Sequence, residues 1–489
     1  METVSFTRPR TIGIVACLGA VLVWAMPLAA QDKAKAIDAL LTTYHDLGVF
    51  NGSALVSENG KVIFKKGFGY ADFEWKIPNA PDTKFRLGSI TKQFTSALVM
   101  QLVDEGKLSL EAPLASVLPY YRKDIGGRIT IHHLLAHTSG IPSYTNLPNW
   151  EKEISRNPFG PREFVEKYGS GDLEFEPGTK FAYSNSGYFI LGAIAEQVTG
   201  KTYDQLLQER IFGPLGMKAS GYDLSRPILE KRARGYEQTM SGVRNADYLD
   251  MSQPYAAGSL YSTVEDLYLW DRALDGDKLL PAKTKERMFT PVLQNYGYGW
   301  TIAKRPVGPA KAERVMIAHG GGIYGFNTLI SRVPQDDHLV VLLNNTGGTS
   351  LGAMSEGVMD ILYGRTAPPA KRPLARALHE TILKSGIAAA VQQYREIKKS
   401  RASDYDLGLI QLLRLGNELL AQKRNADAVE IFKLNVEAFP AVAPLHLMLA
   451  DAYSEAGETA LAINTYEKTL EVDPGNRTAT EKLSQMLKR

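Results

Sequence analysis

One serine and one lysine carry the clearest chemistry in this chain. Ser89 and Lys92 stand three residues apart in Leu87-Gly88-Ser89-Ile90-Thr91-Lys92-Gln93-Phe94, the only S-x-x-K of the 489-residue sequence. A helical backbone puts positions i and i+3 on one face, with Cβ atoms about 5–6 Å apart. A free serine hydroxyl is a weak nucleophile and needs a neighbouring base. Lysine serves only when uncharged. Its reference pKa is about 10.4, so burial or nearby positive charge must lower it.

Two further groups could work beside that pair. Glu176-Pro177-Gly178-Thr179-Lys180-Phe181-Ala182-Tyr183-Ser184-Asn185-Ser186-Gly187-Tyr188 reads as a turn feeding a helix and offers a phenol and an amide, Tyr183 and Asn185, at Y-x-N spacing. A tyrosine near a cationic lysine can titrate lower than usual and shuttle a proton. A second Y-x-N, Tyr144-Thr145-Asn146, has no helix directly after it, so Tyr183 is preferred. The other group is His319-Gly320-Gly321-Gly322, expected to follow a strand. Glycines there let a substrate backbone approach, and an exposed N–H can complete an oxyanion hole.

The surrounding pattern supplies elements to hold these groups. Residues 51–72 predict a β-hairpin around Asn59-Gly60, a strong short-turn signal. Ile90, Phe94, Ala97, Leu98 and Leu102 follow helical spacing from Ser89 to Glu105. A mainly helical, loop-rich stretch runs to about residue 290. Strand signals return at Tyr298–Ile302, Arg314–Ala318, Phe326–Val333 and His338–Leu343, with a turn at Pro334-Gln335-Asp336-Asp337 and a last helix near Gly352–Tyr363. Strands at both ends with helices between predict an α+β fold: one antiparallel sheet flanked by helices, with an inserted all-helical lobe. A cleft between sheet and lobe is the natural place for a site.

The three groups, in this order, resemble the β-lactamase and penicillin-binding serine hydrolases. The likeness spans about residues 35 to 360. It includes Ile129-Thr130-Ile131-His132-His133-Leu134-Leu135-Ala136-His137-Thr138-Ser139-Gly140-Ile141-Pro142, which is similar to the class C-like branch, and Ala257-Gly258-Ser259-Leu260-Tyr261-Ser262-Thr263. The resemblance implies that Ser89 is acylated, Lys92 activates it, and Tyr183 passes the proton to the leaving group. It implies that Asn185 holds the substrate amide. His319 would take the place of the third motif's charged residue, and the N–H groups of Ser89 and Gly322 would form the oxyanion hole. True β-lactamases typically carry Lys-Thr-Gly at the third motif. Histidine resembles instead the D-specific peptidases and carboxypeptidases of the family, and its charge is conditional near neutral pH.

Competing patterns are weaker. Lys384-Ser385-Gly386 matches a third motif but ends a helix. Gly348-Thr349-Ser350-Leu351-Gly352 is a G-x-S-x-G between strand and helix. An α/β-hydrolase would need an acid and a histidine on later strands, and only helical patterns follow. His132, His133 and His137 lack an acidic partner at ligand spacing and read as structural, so no metal site and no cofactor are expected.

The ends of the chain differ from its middle. Arg8 and Arg10 precede an apolar run from Ile12 to Ala30 ending in Leu28-Ala29-Ala30-Gln31, the pattern of an export signal over 1–30. Uncleaved, it would be a membrane anchor. The single cysteine, Cys17, lies within it, so the mature chain would have no disulfide and no thiolate chemistry. Residues 31–364 form the expected hydrolase domain, and 365–375 a proline-rich linker. Over 376–489, Ala428/Ala462, Phe432/Tyr466 and Pro440/Pro474 recur 34 residues apart, which resembles tetratricopeptide repeats. Such repeats either stabilise the hydrolase or dock a protein or peptide partner. With 56 basic and 53 acidic residues the net charge is +3, and nothing points to nucleic acid. The expectation is an exported, periplasmic or extracellular serine hydrolase. It would cleave an amide or ester, first a D-amino-acid-containing peptide of the carboxypeptidase or aminopeptidase type. A β-lactamase or carboxylesterase on the same site, and a non-catalytic binding protein using the repeats, are the alternatives.

Overall fold

The computed structural model describes residues 28–307 and 312–488. The expected export segment, with Cys17, lies almost wholly outside the described residues. Among the described residues, no helix is long and apolar enough to cross a membrane.

The chain folds around a six-stranded antiparallel sheet. Its order is Thr301–Val307, Ala312–Ile323, Phe326–Val333, His338–Asn344, Gly52–Glu58, Lys61–Phe68. The first hairpin turns at Asn59 and Gly60, both at positive φ (50° and 70°), which suits the right-handed twist of the flanking strands. Gly52–Glu58 then pairs with His338–Asn344, Ala54 opposite Leu342. This contact between distant strands closes the sheet and sets the helical insertion on one face.

Two apolar layers hold the sheet. On one face Ile37 and Leu41, from the Leu28–Asp46 helix, pack with Met354 and Val358 from the Gly352–Leu362 helix. On the other face lies the larger core, centred on the Thr91–Asp104 helix. Every residue from Thr91 to Met100 is buried, so this helix has no solvent face and its polar groups must find partners inside.

The last two strand expectations agree with the structure, whereas the earlier two differ. Tyr298 and Gly299 form a turn, with Gly299 at φ 78°, and the strand begins at Thr301. The next strand runs through Ile323, so His319–Gly322 lies inside a strand rather than after one, opposite Asn327–Ile330. Three successive glycines hide a strand from sequence because they lack the side chains that signal one.

Beyond irregular residues 364–371, a helix begins at Leu374, just inside the stretch read as linker. The C-terminal region is a run of antiparallel helices with its own core. Helices start at Leu409, Ala443 and Arg477, and alternate ones at Asn425 and Thr459. Each set recurs at the 34-residue interval seen in the sequence.

Candidate active site

Ser89 sits in a tight 3-10 turn, Gly88–Ile90, that runs into the Thr91–Asp104 helix. Gly88 has φ 54°, and a Cβ there would lie 3.0 Å from the Gly322 backbone. At Gly321 a Cβ would lie 1.9 Å from Leu87 O. Only glycine permits this approach. It brings the glycine strand against the serine turn, and Thr328 Oγ1 ties them by donating to Leu87 O at 2.7 Å.

Lys92 is fully buried one turn on. Its Nζ lies 2.9 Å from Ser89 Oγ, 2.9 Å from Asn185 Oδ1 and 2.8 Å from Ala257 O. All three partners are uncharged, and burial holds the amine well below the usual lysine range. A neutral amine has two N–H groups and one lone pair. The two carbonyl oxygens take the N–H groups, which leaves the lone pair facing the Ser89 hydroxyl. The Asn185 amide is oriented for this: its Nδ2 donates to Thr145 Oγ1 at 3.2 Å, and its backbone N–H to Ser143 Oγ at 3.1 Å. The rival Y-x-N thus contributes its threonine. Tyr144 itself is buried among Trp150 and Phe164.

The Tyr183 hydroxyl meets Ser89, and its ring lies 4.9 Å from Lys92 Nζ. Tyr183 as a whole is 38% exposed, but its hydroxyl is desolvated. That burial raises its pKa, and the bond with Ser89 only partly opposes it. The sequence reading put a cation beside this phenol. Burial disfavours that cation and also disfavours the phenolate, so Tyr183 keeps its proton.

His137 belongs to the same cluster, although sequence grouped it with two structural histidines. Its ring centroid is 4.2 Å from that of Tyr183. Its Nδ1 accepts the Ser184 N–H at 3.1 Å, and its carbonyl accepts the Ala182 N–H at 2.9 Å. It therefore grips the chain on both sides of Tyr183. Accepting at Nδ1 requires the neutral ring. Burial keeps it so. His132 and His133 instead bond to Tyr298 and to the Thr130 N–H.

His319 is 7% exposed. Nδ1 lies 2.6 Å from Gly320 O and Nε2 lies 2.8 Å from Tyr296 Oη. A carbonyl only accepts, so Nδ1 carries the hydrogen and Nε2 takes the phenol's. Burial, the largest cause, pushes its pKa down to about 4, against the Gly320 bond. The histidine expected to carry only conditional charge is a neutral ring with both nitrogens engaged. Gly320 is less crowded: a Cβ there would meet nothing nearer than Thr328 O at 3.6 Å.

A cavity of about 400 Å³ opens beside Ser89 and Asn185. Its lining includes Glu151 and Glu237 but, among the described residues, neither lysine nor arginine. Asp271, Asp275 and Asp337 cluster elsewhere, and Arg272 and Arg332 neutralise them.

The model of the family described as Beta-lactamase matches residues 34–362. The chain belongs to the β-lactamase family. A Bacillus subtilis protein bearing the name of penicillin-binding protein PbpX is 30% identical over 337 residues, which cover 68% of this chain and 81% of that one. The teichoic acid D-alanine hydrolase of Staphylococcus aureus is 29% identical over 68% of this chain and 78% of its own. Among solved structures, the D-amino acid amidase of Ochrobactrum anthropi in complex with D-phenylalanine superposes with a TM-score of 0.58. It is 26% identical, over 68% of this chain and 98% of its own.

Membership of the β-lactamase family makes this chain an enzyme of the serine-hydrolase type. Ser89, Lys92, Tyr183 and Asn185 converge, and Gly321 and Gly322 close on the serine turn. Tyr296 and His137 escaped the sequence reading because they reach the site only through folding, with no spacing to mark them. Ser350 is exposed in a loop. The histidines after it, His379 and His446, lie in the C-terminal helices. Lys384-Ser385-Gly386 sits at a kink where Gly386 has φ 83°.

Proposed function

We propose that this is an exported serine hydrolase that forms an acyl-enzyme at Ser89. The amine of Lys92 takes the hydroxyl proton as Ser89 attacks the substrate carbonyl. The protonated phenol of Tyr183 gives its proton to the leaving group, and the proton held by Lys92 then passes to the phenolate, which restores both the amine and the phenol. The N–H groups of Ser89 and Gly322 receive the oxyanion, and Asn185 holds the substrate amide. Water then attacks the ester with the same groups in reverse. The observation that carries this reading is the fully buried Lys92 amine, 2.9 Å from Ser89 Oγ, whose other two partners are uncharged carbonyl oxygens.

The substrate we favour is an amide or ester of a D-amino acid, of the aminopeptidase or D-alanyl-ester kind. The D-alanine hydrolase and D-amino acid amidase support it by name. The neutral His319 and a lining without cations argue against a site built for a free carboxylate, as a carboxypeptidase or β-lactamase would need. We read the helical pairs that follow as a tetratricopeptide-like domain within the class C-like branch.

A fluorophosphonate adduct mapped by mass spectrometry tests the site. Labelling at Ser89, lost in Ser89→Ala and kept in Ser350→Ala, is the expected result. Labelling at Ser350 instead, or none, would discard the proposal.

A further inference from the structure

The cavity beside Ser89 has one wall of unusually slight construction. Thr346–Gly347 pairs in parallel with Tyr236–Glu237, Thr346 opposite Tyr236 and Gly347 opposite Glu237. A ladder two residues long has little stability of its own. Next along both chains stand the carbonyls of Gly348 and Gln238. Arg414, on the C-terminal helix Leu409–Ala421, donates Nη1 to Gly348 O at 2.7 Å and Nη2 to Gln238 O at 2.5 Å. One planar guanidinium thus continues the ladder where the parallel pairing stops. Gly348 is shaped for it: φ is 74°, and a Cβ would come within 3.3 Å of the guanidinium carbon.

The inner side of this wall is the site. Glu237, Gly347 and Gly348 line the cavity together with Ser89. Glu237 Oε1 accepts the Gly325 N–H at 2.8 Å, and the Thr349 N–H donates to Asn327 Oδ1 at 3.0 Å. Both bonds link the wall to the hairpin end beside Gly322. On the outer side Met240 packs on the C-terminal core. The family match ends at residue 362, so Arg414 comes from outside the family's own domain.

We propose that the C-terminal helical domain braces the substrate pocket from behind, with Arg414 as the positioning residue that fixes the wall formed by residues 236–238 and 346–349. The domain then governs which acyl donors fit, in addition to any stability it lends. The kinetic part of the test rests on the Ser89 reading, whereas the exchange part does not.

The experiment compares full-length wild type, Arg414→Met and Arg376→Met. Arg376 is another contact between the domains, donating to Leu47 O at 3.2 Å, and none of those groups lines the cavity. Amide hydrogen exchange at 236–239 and 346–349 should speed up by about tenfold in Arg414→Met only. The KM for a bulky D-phenylalanyl ester should rise by about fivefold or more relative to that for a small acetyl ester, with kcat moving less. A merely structural arginine would lower the active fraction, reducing kcat for both esters alike and leaving each KM alone. Unchanged exchange at the wall, equal loosening in Arg376→Met, or faster exchange with an unaltered KM ratio would each overturn the proposal. If Arg414→Met does not fold, Arg414→Lys, which keeps one bond, should give an intermediate exchange rate, and a wild-type rate would overturn it. A wild type inert toward both esters would sink the Ser89 reading, while exchange would still decide the wall.

Discussion

Replacing Lys92 by methionine separates the two claims made for this amine, that it is uncharged and that it is the base. Methionine keeps the unbranched stem and approximate volume. Its loss of the amine leaves Asn185 Oδ1 and Ala257 O without donors, at a cost of about 1–3 kcal/mol for each buried acceptor. A second effect has the opposite sign and depends on pH. The folded protein holds Lys92 well below the usual lysine range, whereas the unfolded chain binds the proton until pH passes about 10.4. Below that value the unfolded state carries one proton more. Wild-type stability therefore rises with pH across the interval, by about 1.4 kcal/mol per unit, and levels off above it. Lys92→Met has no such slope, and the other titrations cancel in the comparison. The stability of wild type minus that of the variant should grow by about 1.4 kcal/mol from pH 8 to pH 9.

Urea unfolding followed by tryptophan fluorescence can measure this in the hydrolase domain alone. Four of the five tryptophans lie in the hydrolase domain and the fifth, Trp24, in the expected export segment, and Trp270 stacks at 4.3 Å on Phe94, two residues from Lys92 on the helix. Turnover of an activated ester should fall by roughly 10²–10⁴-fold in the same variant. A difference in stability that stays flat over that pH unit would refute the reasoning. The amine would then be charged in the fold and have no lone pair for Ser89.

Other consequences can be checked with the same tools. His319, held near pKa 4, contributes stability that is intact above its ordinary pKa of about 6.5 and lost as pH falls, about 3 kcal/mol in all. His319→Asn should remove that acid-side slope in urea titrations between pH 7 and pH 4. His137→Phe keeps a ring against Tyr183 but orphans the Ser184 N–H. It should cost about 1–3 kcal/mol and lower kcat by roughly tenfold, read by unfolding and ester turnover. Gly321→Ala forces a Cβ to 1.9 Å from Leu87 O and should destabilise by about 3 kcal/mol or more. Gly320→Ala, with 3.6 Å of room, should melt within a few degrees of wild type.

Features with a local cause were legible along the chain. Asn59-Gly60 makes its turn because its own backbone favours positive φ. The spacing of Ser89 and Lys92 puts them on one face whatever surrounds them. The apolar spacing after Ile90 demanded a buried helix, and the 34-residue period needs only its neighbouring copies to fold. Tertiary structure decided the ionisation states, because a pKa answers to burial and to groups distant in sequence. Lys92 and Asn185 are 93 residues apart and Lys92 and Ala257 are 165 apart, and no pattern along the chain announces that these carbonyls will occupy both hydrogens of one amine. The same holds for His137 against Tyr183, for the neutral His319, and for Arg414 reaching back to the pocket from the next domain. Each is a contact made by packing, and packing is what a linear pattern does not contain.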